Sequence, residues 1–327
     1  MANGGVGVSM GTRIGLSRFS VGTGATVVVV VGLGSMALFG NSYQLHLLNA
    51  ALIAVVFAQG LNILMGYSGQ ISIGHAAFYG CGAYTSAVLS TRFDLNVWLC
   101  MIAGGVLAGV AGILVAAPAL RIGSHYLAMV TIAVGEIALV LFQNLHSITG
   151  GYNGIRGIPR PELFGFVFKG QDRFLVVAAV FAIASTMLSS SLRSSLAGLR
   201  LRGIREDEVS MESVGERVGP LKLRAFAVSA MFSGVAGALY AHWIGYISPG
   251  SFSIQLSISV FVMVLVGGTG SVLGVSIGAI LITLLPEYLR FTDQYWLMVY
   301  GVILLVFIIF LPSGLAGLLG RLTRAKG

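Results

Sequence analysis

Five polar side chains stand where the surrounding sequence offers little besides hydrocarbon. Ser68, Gln70, Ser72 and His75 lie in a block, positions 19–91, without a single Asp, Glu, Lys or Arg, and Glu136 falls near the middle of another apolar stretch. Leaving such groups unpaired in hydrocarbon is expensive, so they line either a protein-filled contact or a wet path. The glycines among them, Gly66, Gly69 and Gly74, serve tight helix packing equally well, whereas Gln70 and His75 favour the path. An intramembrane carboxylate reads as functional, either neutral or beside a partner; His75 and the bare backbone of the glycine segments are the candidates. A structural hydrogen bond between helices is the competing reading of Glu136.

Covalent chemistry fits poorly. His75 and Glu136 would make an acid–base pair, but an embedded enzyme needs a fuller set of groups. No H-E-x-x-H spacing offers metal ligands, and no cofactor site is read from the chain. Lys169, Lys222 and Lys326 all fall outside the charge-free blocks, and none follows a phosphate-cradling glycine loop. If ATP drives this protein, another subunit hydrolyses it. Cys81 and Cys100 lie in apolar surroundings and suggest no disulfide framework.

The elements that must hold these residues are membrane helices. The chain has 327 residues, 56% hydrophobic and 9% charged, with a mean hydropathy of +0.93; soluble domains carry about 25% charged residues. Positions 225–286 form a second block without formal charge. An ordinary cytosolic enzyme, a disordered chain and a nucleic-acid-binding domain are excluded. The net charge of +8 sits between and beyond apolar runs, where it reads as an orientation signal.

At about 20 residues per crossing, ten spans are expected: 21–40, 44–64, 66–90, 97–117, 125–146, 173–192, 225–247, 254–269, 271–289 and 295–312. The third and eighth are glycine-rich and open to breaks or re-entry. Basic residues cluster at Arg13 and Arg18, from Arg193 to Arg224, and at Arg321, Arg324 and Lys326. Even numbers of spans separate the clusters, so all three share one side, cytoplasmic by the positive-inside tendency. The loop 147–172 then faces outward despite Arg156, Arg160 and Lys169. The division is a cytoplasmic segment 1–20, one transmembrane domain 21–320 and a cytoplasmic tail 321–327. Five spans per half make the halves run oppositely, as in inverted repeats. A faint echo supports this, with Gly66, Gly69 and Gly74 in one half and Gly267, Gly270 and Gly274 in the other.

The stretch 193–224 is the longest hydrophilic one between spans, with seven basic and five acidic side chains. Ile204, Met211, Val214, Val218 and Leu221 recur at helical spacing, and Glu206, Asp207 and Glu208 stand near the start, where negative charge suits a helix dipole. Gly219-Pro220 breaks the pattern. The expectation is a short amphipathic helix lying across the cytoplasmic face, with a plain connector as the alternative. Outside, Thr149–Pro159 is turn-rich, suited equally to a docking surface, a gate or a connector.

Several long motifs resemble one family. GYSGQISIGHAAFYGCGAYTSA (66–87) is similar to the signature of branched-chain amino acid ABC transporter permeases, in the LivM branch of the LivH/LivM type. The resemblance continues through HYLAMVTIAVGEI, TGGYNGIRGIP, LRGIREDEVSMESVG, AFAVSAMFSGVAGALYAHWIGYISPGSF, VLVGGTGSVLGVSIGA and LPEYLR, from about Leu45 to Leu319. It implies an importer in the bacterial inner membrane, with two ATP-binding subunits, a sister permease chain of the LivH type and an external solute-binding protein. It also implies that 201–219 docks on the ATPase through Arg205, Glu206, Asp207, Glu208, Glu212 and Gly215, although the spacing departs from the Glu-Ala-Ala…Gly pattern of other ABC importers. The path is expected along Ser68, Gln70, Ser72, His75, Glu136, Gly268 and Gly270. Permeases for urea, short amides and other amino acids share these motifs, so the cargo stays open. A channel or ion-coupled carrier would be similarly glycine-rich but gains nothing from a charged cytoplasmic lever.

Overall fold

Helix follows apolar window with few exceptions. The structure is a computed structural model that describes residues 41–122, 126–163, 165–289, 296–310 and 314–317. The expected first span, the segment 1–20 and the tail 321–327 lie outside the described residues. The membrane helices are α1 (Ser42–Asn62), α2 (His75–Arg92), α3 (Val97–Ile122), α4 (Tyr126–Asn144) and α5 (Gln171–Ser194). After two short helices, α6 (Leu196–Glu206) and α7 (Glu208–Ser213), follow α8 (Val218–Ile244), α9 (Ile254–Gly267), α10 (Val272–Tyr288) and α11 (Trp296–Phe310). Six of the helical stretches are long and apolar enough to cross a membrane, and α10 is a shorter apolar one. This is an all-helical membrane protein.

Three expectations need correction. The window 66–90 is helical only from His75: α1 ends in a π turn, Ile63–Tyr67, and 69–74 is irregular, with Gly69 at φ +71°. A left-handed residue there ends the helix, a conformation glycine adopts without the Cβ penalty. The window 225–247 starts early, at Val218, because Gly219-Pro220 occupies the first turn of α8, where a proline lacks no needed donor. Third, the stretch 193–224 carries two short helices rather than one. Asp207 leaves helical geometry (φ −155°, ψ 109°) and its carboxylate caps α7 by accepting from the Val209 amide at 3.0 Å. The expected stripe is divided accordingly: Ile204 and Val218 are buried, Met211 and Leu221 half-buried and Val214 exposed.

α1 sits at the centre, with 83% of its apolar window buried. α8 packs along α2 and α3, where Gly82, Gly104 and Gly234 bring the backbones together. Phe252, in the short turn Pro249–Phe252 before α9, fills the space between Tyr84 and Phe142 with ring centroids at 5.4 and 6.1 Å. α4 differs from all of these. Only 11% of its apolar window is buried, and most of its surface faces away from the bundle.

The two ends of the bundle are built differently. At one, the loop after α4 is pinned down by two-residue strands, β1 (Ile155–Arg156) and β4 (Tyr246–Ile247), paired antiparallel, with a hairpin of β2 (Glu162–Leu163) and β3 (Phe166–Val167) beside them. His242 Nδ1 lies 2.7 Å from the Pro159 carbonyl, and Trp98 Nε1 donates to the Glu162 carbonyl at 2.7 Å. A plain connector needs none of this. The opposite end carries α6 and α7, separated from the loop by α5, whose 24 residues span about 36 Å.

Candidate functional site

The glycine segments meet each other next to α6. Asn62 Oδ1 accepts from the Gly270 amide at 2.8 Å, and a Cβ on Gly66 would collide with the Gly270 backbone. Gly270 and Gly268 lie in the tight turn between α9 and α10 with φ of +85° and +99°. Just up the helix, Gln59 Nε2 donates to the Val272 carbonyl at 2.8 Å and to Ser276 Oγ at 2.9 Å. The two halves of the chain are therefore joined by side-chain-to-backbone bonds between residues more than 200 positions apart, with the Gly66 and Gly270 backbones in close approach.

Ser68, Gln70, Ser72 and His75 are all buried and bonded within the chain. Ser68 Oγ donates to the Leu64 carbonyl at 2.7 Å, and Gln70 Nε2 to Ser68 Oγ at 2.8 Å and the Lys222 carbonyl at 3.3 Å. His75 Nδ1 lies 2.8 Å from Ser72 Oγ, and its Nε2 lies 2.7 Å from Ser229 Oγ on α8. Both ring nitrogens are thus engaged, and the ring packs against Phe78 and Phe226. In this conformation the four form a protein-filled contact. The Ile73 amide donates to Thr131 Oγ1 of α4, and the Ala76 amide to Ser257 Oγ of α9, so this segment ties three helices together.

Glu136 stands apart from that network. It is exposed on α4 and makes no ion pair or hydrogen bond among the described residues. The expected partnership with His75 does not form, because the His75 nitrogens are satisfied by serines and the carboxylate points off the bundle. A charged carboxylate at mid-helix in lipid costs on the order of 3 kcal/mol. An exposed one on so apolar a helix therefore calls for cover from outside the described residues.

The 193–224 stretch also sorts its residues by direction. Leu201 and Ile204 of α6 are buried against the bundle. Leu196, Leu199, Val209 and Val214 are exposed, together with Glu206, Asp207, Glu212 and Gly215. Asp207 lies in open solvent, and the Ser210 hydroxyl, followed by the amides of Ser210 and Val209, holds its carboxyl below the usual range. Glu208 reaches back to pair with Lys222, whose side chain is 5% exposed. Arg205 also turns inward, with Nη1 donating to the Gly66 carbonyl at 2.5 Å and Nη2 3.5 Å from Thr269 Oγ1. Of the six residues expected to face the ATPase, these two also bond back to the bundle.

Asn62, Gln59, Ser229, Thr131 and Lys222 were missed by sequence reasoning. Gln59 and Asn62, three apart on one helix face and just before the glycine run, carried a readable signal. Ser229 carried none, lying 154 positions from His75. Among the described residues no three His, Cys, Asp or Glu side chains gather as metal ligands.

The family model described as branched-chain amino acid transport system / permease component matches residues 43–308. The chain is 35% identical over 287 residues to the high-affinity branched-chain amino acid transport system permease protein LivM of Escherichia coli K12, covering 81% of this chain and 68% of that protein. It is 26% identical over 235 residues to a probable LivM of Methanocaldococcus jannaschii, covering 66% and 67% of the two chains. Similarity to the ribose import permease protein RbsC of Haemophilus influenzae is 22% over 274 residues, covering 82% and 83%. No solved structure matches.

Proposed function

This chain belongs to the family of branched-chain amino acid transport system permease components, and from that premise we propose where its cargo passes and how it is driven. It is a multi-pass permease subunit of an ABC transport system and not an enzyme, and its family implies ATP-hydrolysing and solute-binding partners. The proposed passage runs along the outward face of α4, closed on its other side by a sister permease chain of the LivH type. Glu136 meets the ammonium of leucine, isoleucine or valine there. The buried network from Ser68 to His75 and the turn at Gly268 and Gly270 form the hinges behind that wall.

One observation carries the reading: a carboxylate exposed at the middle of an apolar helix that the other described residues leave uncovered. Lipid is a poor neighbour for it, and a second subunit with a zwitterionic cargo is a good one. On the cytoplasmic side, the exposed Leu196, Leu199, Val209 and Val214, rimmed by Glu206, Asp207 and Glu212, suit docking on one of two ATP-binding subunits. Gly215, at φ +85°, turns the chain back at the edge of that surface. An external solute-binding protein meets the pinned loop at the far end. Both termini are cytoplasmic, in a bacterial inner membrane. The contact of Gly66 with Gly270 supports an inverted five-plus-five arrangement whose halves touch at equivalent breaks.

The test uses the complete importer in lipid vesicles. In E136Q, ATP-driven leucine uptake falls about thirty-fold, the scale of losing one partner of a desolvated charge pair. Wild-type uptake by an assembled E136Q importer contradicts the proposed path.

A further inference from the structure

Arg205 occupies a different position from the other arginines around it. Arg200 pairs with Glu216 at 2.9 Å, and Arg202 donates to the carbonyls of Gly198 and Arg193, so both bond within the cytoplasmic stretch. Arg205, in the last turn of α6, instead sends its guanidinium to the one place where the two glycine segments touch. It reaches the Gly66 carbonyl from the π turn of the first half and Thr269 from the α9–α10 turn of the second. The seat is made of missing side chains. A Cβ on Gly69 would lie 3.0 Å from Arg205 Cγ, and one on Gly270 would lie 3.4 Å from its Nη1.

The contacts suit a joint that changes state. A charge-assisted hydrogen bond to a carbonyl is about twice as strong as a neutral one, yet a single one is easily exchanged against the weak second contact. Around it, Asn62 Nδ2, Gln59 Oε1 and Gln70 Oε1 are buried with no partner among the described residues, leaving hydrogen-bonding capacity for another pairing. Glu208, Lys222 and Gln70 form a second route from α7 to the same segment.

We infer that Arg205 is the positioning residue through which movement of the cytoplasmic helices reaches both glycine hinges at once. This rests on the permease reading above and adds the point of transmission. A guanidinium is suited to the task because its planar fork serves two acceptors in fixed relative geometry, whereas an ammonium is a point donor. The plainer alternative is that Arg205 merely caps a carbonyl freed by the π turn, which would stabilise the fold without affecting how hydrolysis is converted into movement.

The experiment reads leucine uptake and ATP hydrolysis in the same vesicles, with the full importer, for wild type, R205Q, R205K and T269V. In R205Q, leucine moved per ATP hydrolysed falls about ten-fold, the scale of one hydrogen bond to a charged group. R205K recovers part of the loss, and T269V costs about two-fold in the same ratio. An unchanged ratio in R205Q, or uptake and hydrolysis falling in parallel, overturns the inference and leaves a capping role. If R205Q does not assemble, an unchanged ratio in T269V overturns it alone. Failure of the wild type to couple uptake to ATP would instead count against the permease reading itself.

Discussion

At the glycine junction, His75, Ser72, Ser68 and Gln70 find partners within the chain, while Glu136 on the outward face of α4 finds none among the described residues. Both regions put polar groups among apolar helices. The junction meets that cost by closing over them, with Gly66 and Gly270 in backbone contact. α4 leaves its carboxylate for something else to cover. A closed region bonded mostly to itself can bend or hinge but offers a solute no room. An uncovered face is incomplete alone and becomes a passage once a second chain encloses it. On the proposed reading, motion falls to the first region and cargo to the second.

The packing side of that contrast is easiest to break with one substitution made at two glycines, one in the junction and one on the side of α4 that faces it. Alanine at Gly66 would drive a methyl into the Gly270 backbone and the Asn62 amide, neither of which has space to retreat. We expect G66A to destabilise the purified protein by about 3 kcal/mol, the upper range for overpacking. Alanine at Gly135, whose Cβ would meet only Gly74 Cα at 3.6 Å, should be tolerated and gain up to about 1 kcal/mol of helix propensity. Thermal unfolding in detergent checks both, and equal shifts would erase the contrast.

The next largest effect separates stability from transport. H75A orphans the Ser229 and Ser72 hydroxyls and should cost about 2 kcal/mol, seen as a lowered Tm. E136A should leave the Tm of the isolated chain unchanged while abolishing uptake in the assembled importer. The smallest effect lies in the 193–224 stretch. The Asp207 carboxyl is held below its ordinary range by Ser210, so its cap on α7 is complete above pH ~4 and is lost as pH falls through the lowered value. Protection of the Val209 amide, taken relative to its intrinsic exchange rate at each pH, should therefore be high at neutral pH and fall in acid. D207A should lower that protection at neutral pH and leave it unchanged in acid.

Much of this was readable from the chain. Nine of the ten expected windows hold a described helix, since a run of apolar residues long enough to cross a bilayer has few other options. The break after α1 was legible in kind, through the glycines, but its extent depended on Gly69 adopting a positive φ. The division of α6 from α7 was hidden, because Glu206-Asp207-Glu208 reads equally as the acidic start of one helix or the cap of a second. Glu136 was legible as an anomaly, yet the face it occupies was not. α4 is apolar on all sides, so no periodicity says which side meets the bundle. Gly66 and Gly270 appeared only as a faint echo, and nothing in the local sequence around Arg205 indicates that it turns inward to their meeting point.

The central claim is that the outward face of α4 borders a wet passage. It is tested most directly by the substitution E136C, with Cys81 and Cys100 replaced by serine, in the assembled importer. A charged, membrane-impermeant thiol reagent should modify the single thiol at position 136, and excess leucine with the binding protein and ATP should slow the reaction. If the charged reagent leaves that thiol untouched while an apolar, lipid-soluble one labels it readily, the face looks onto lipid and the account is wrong.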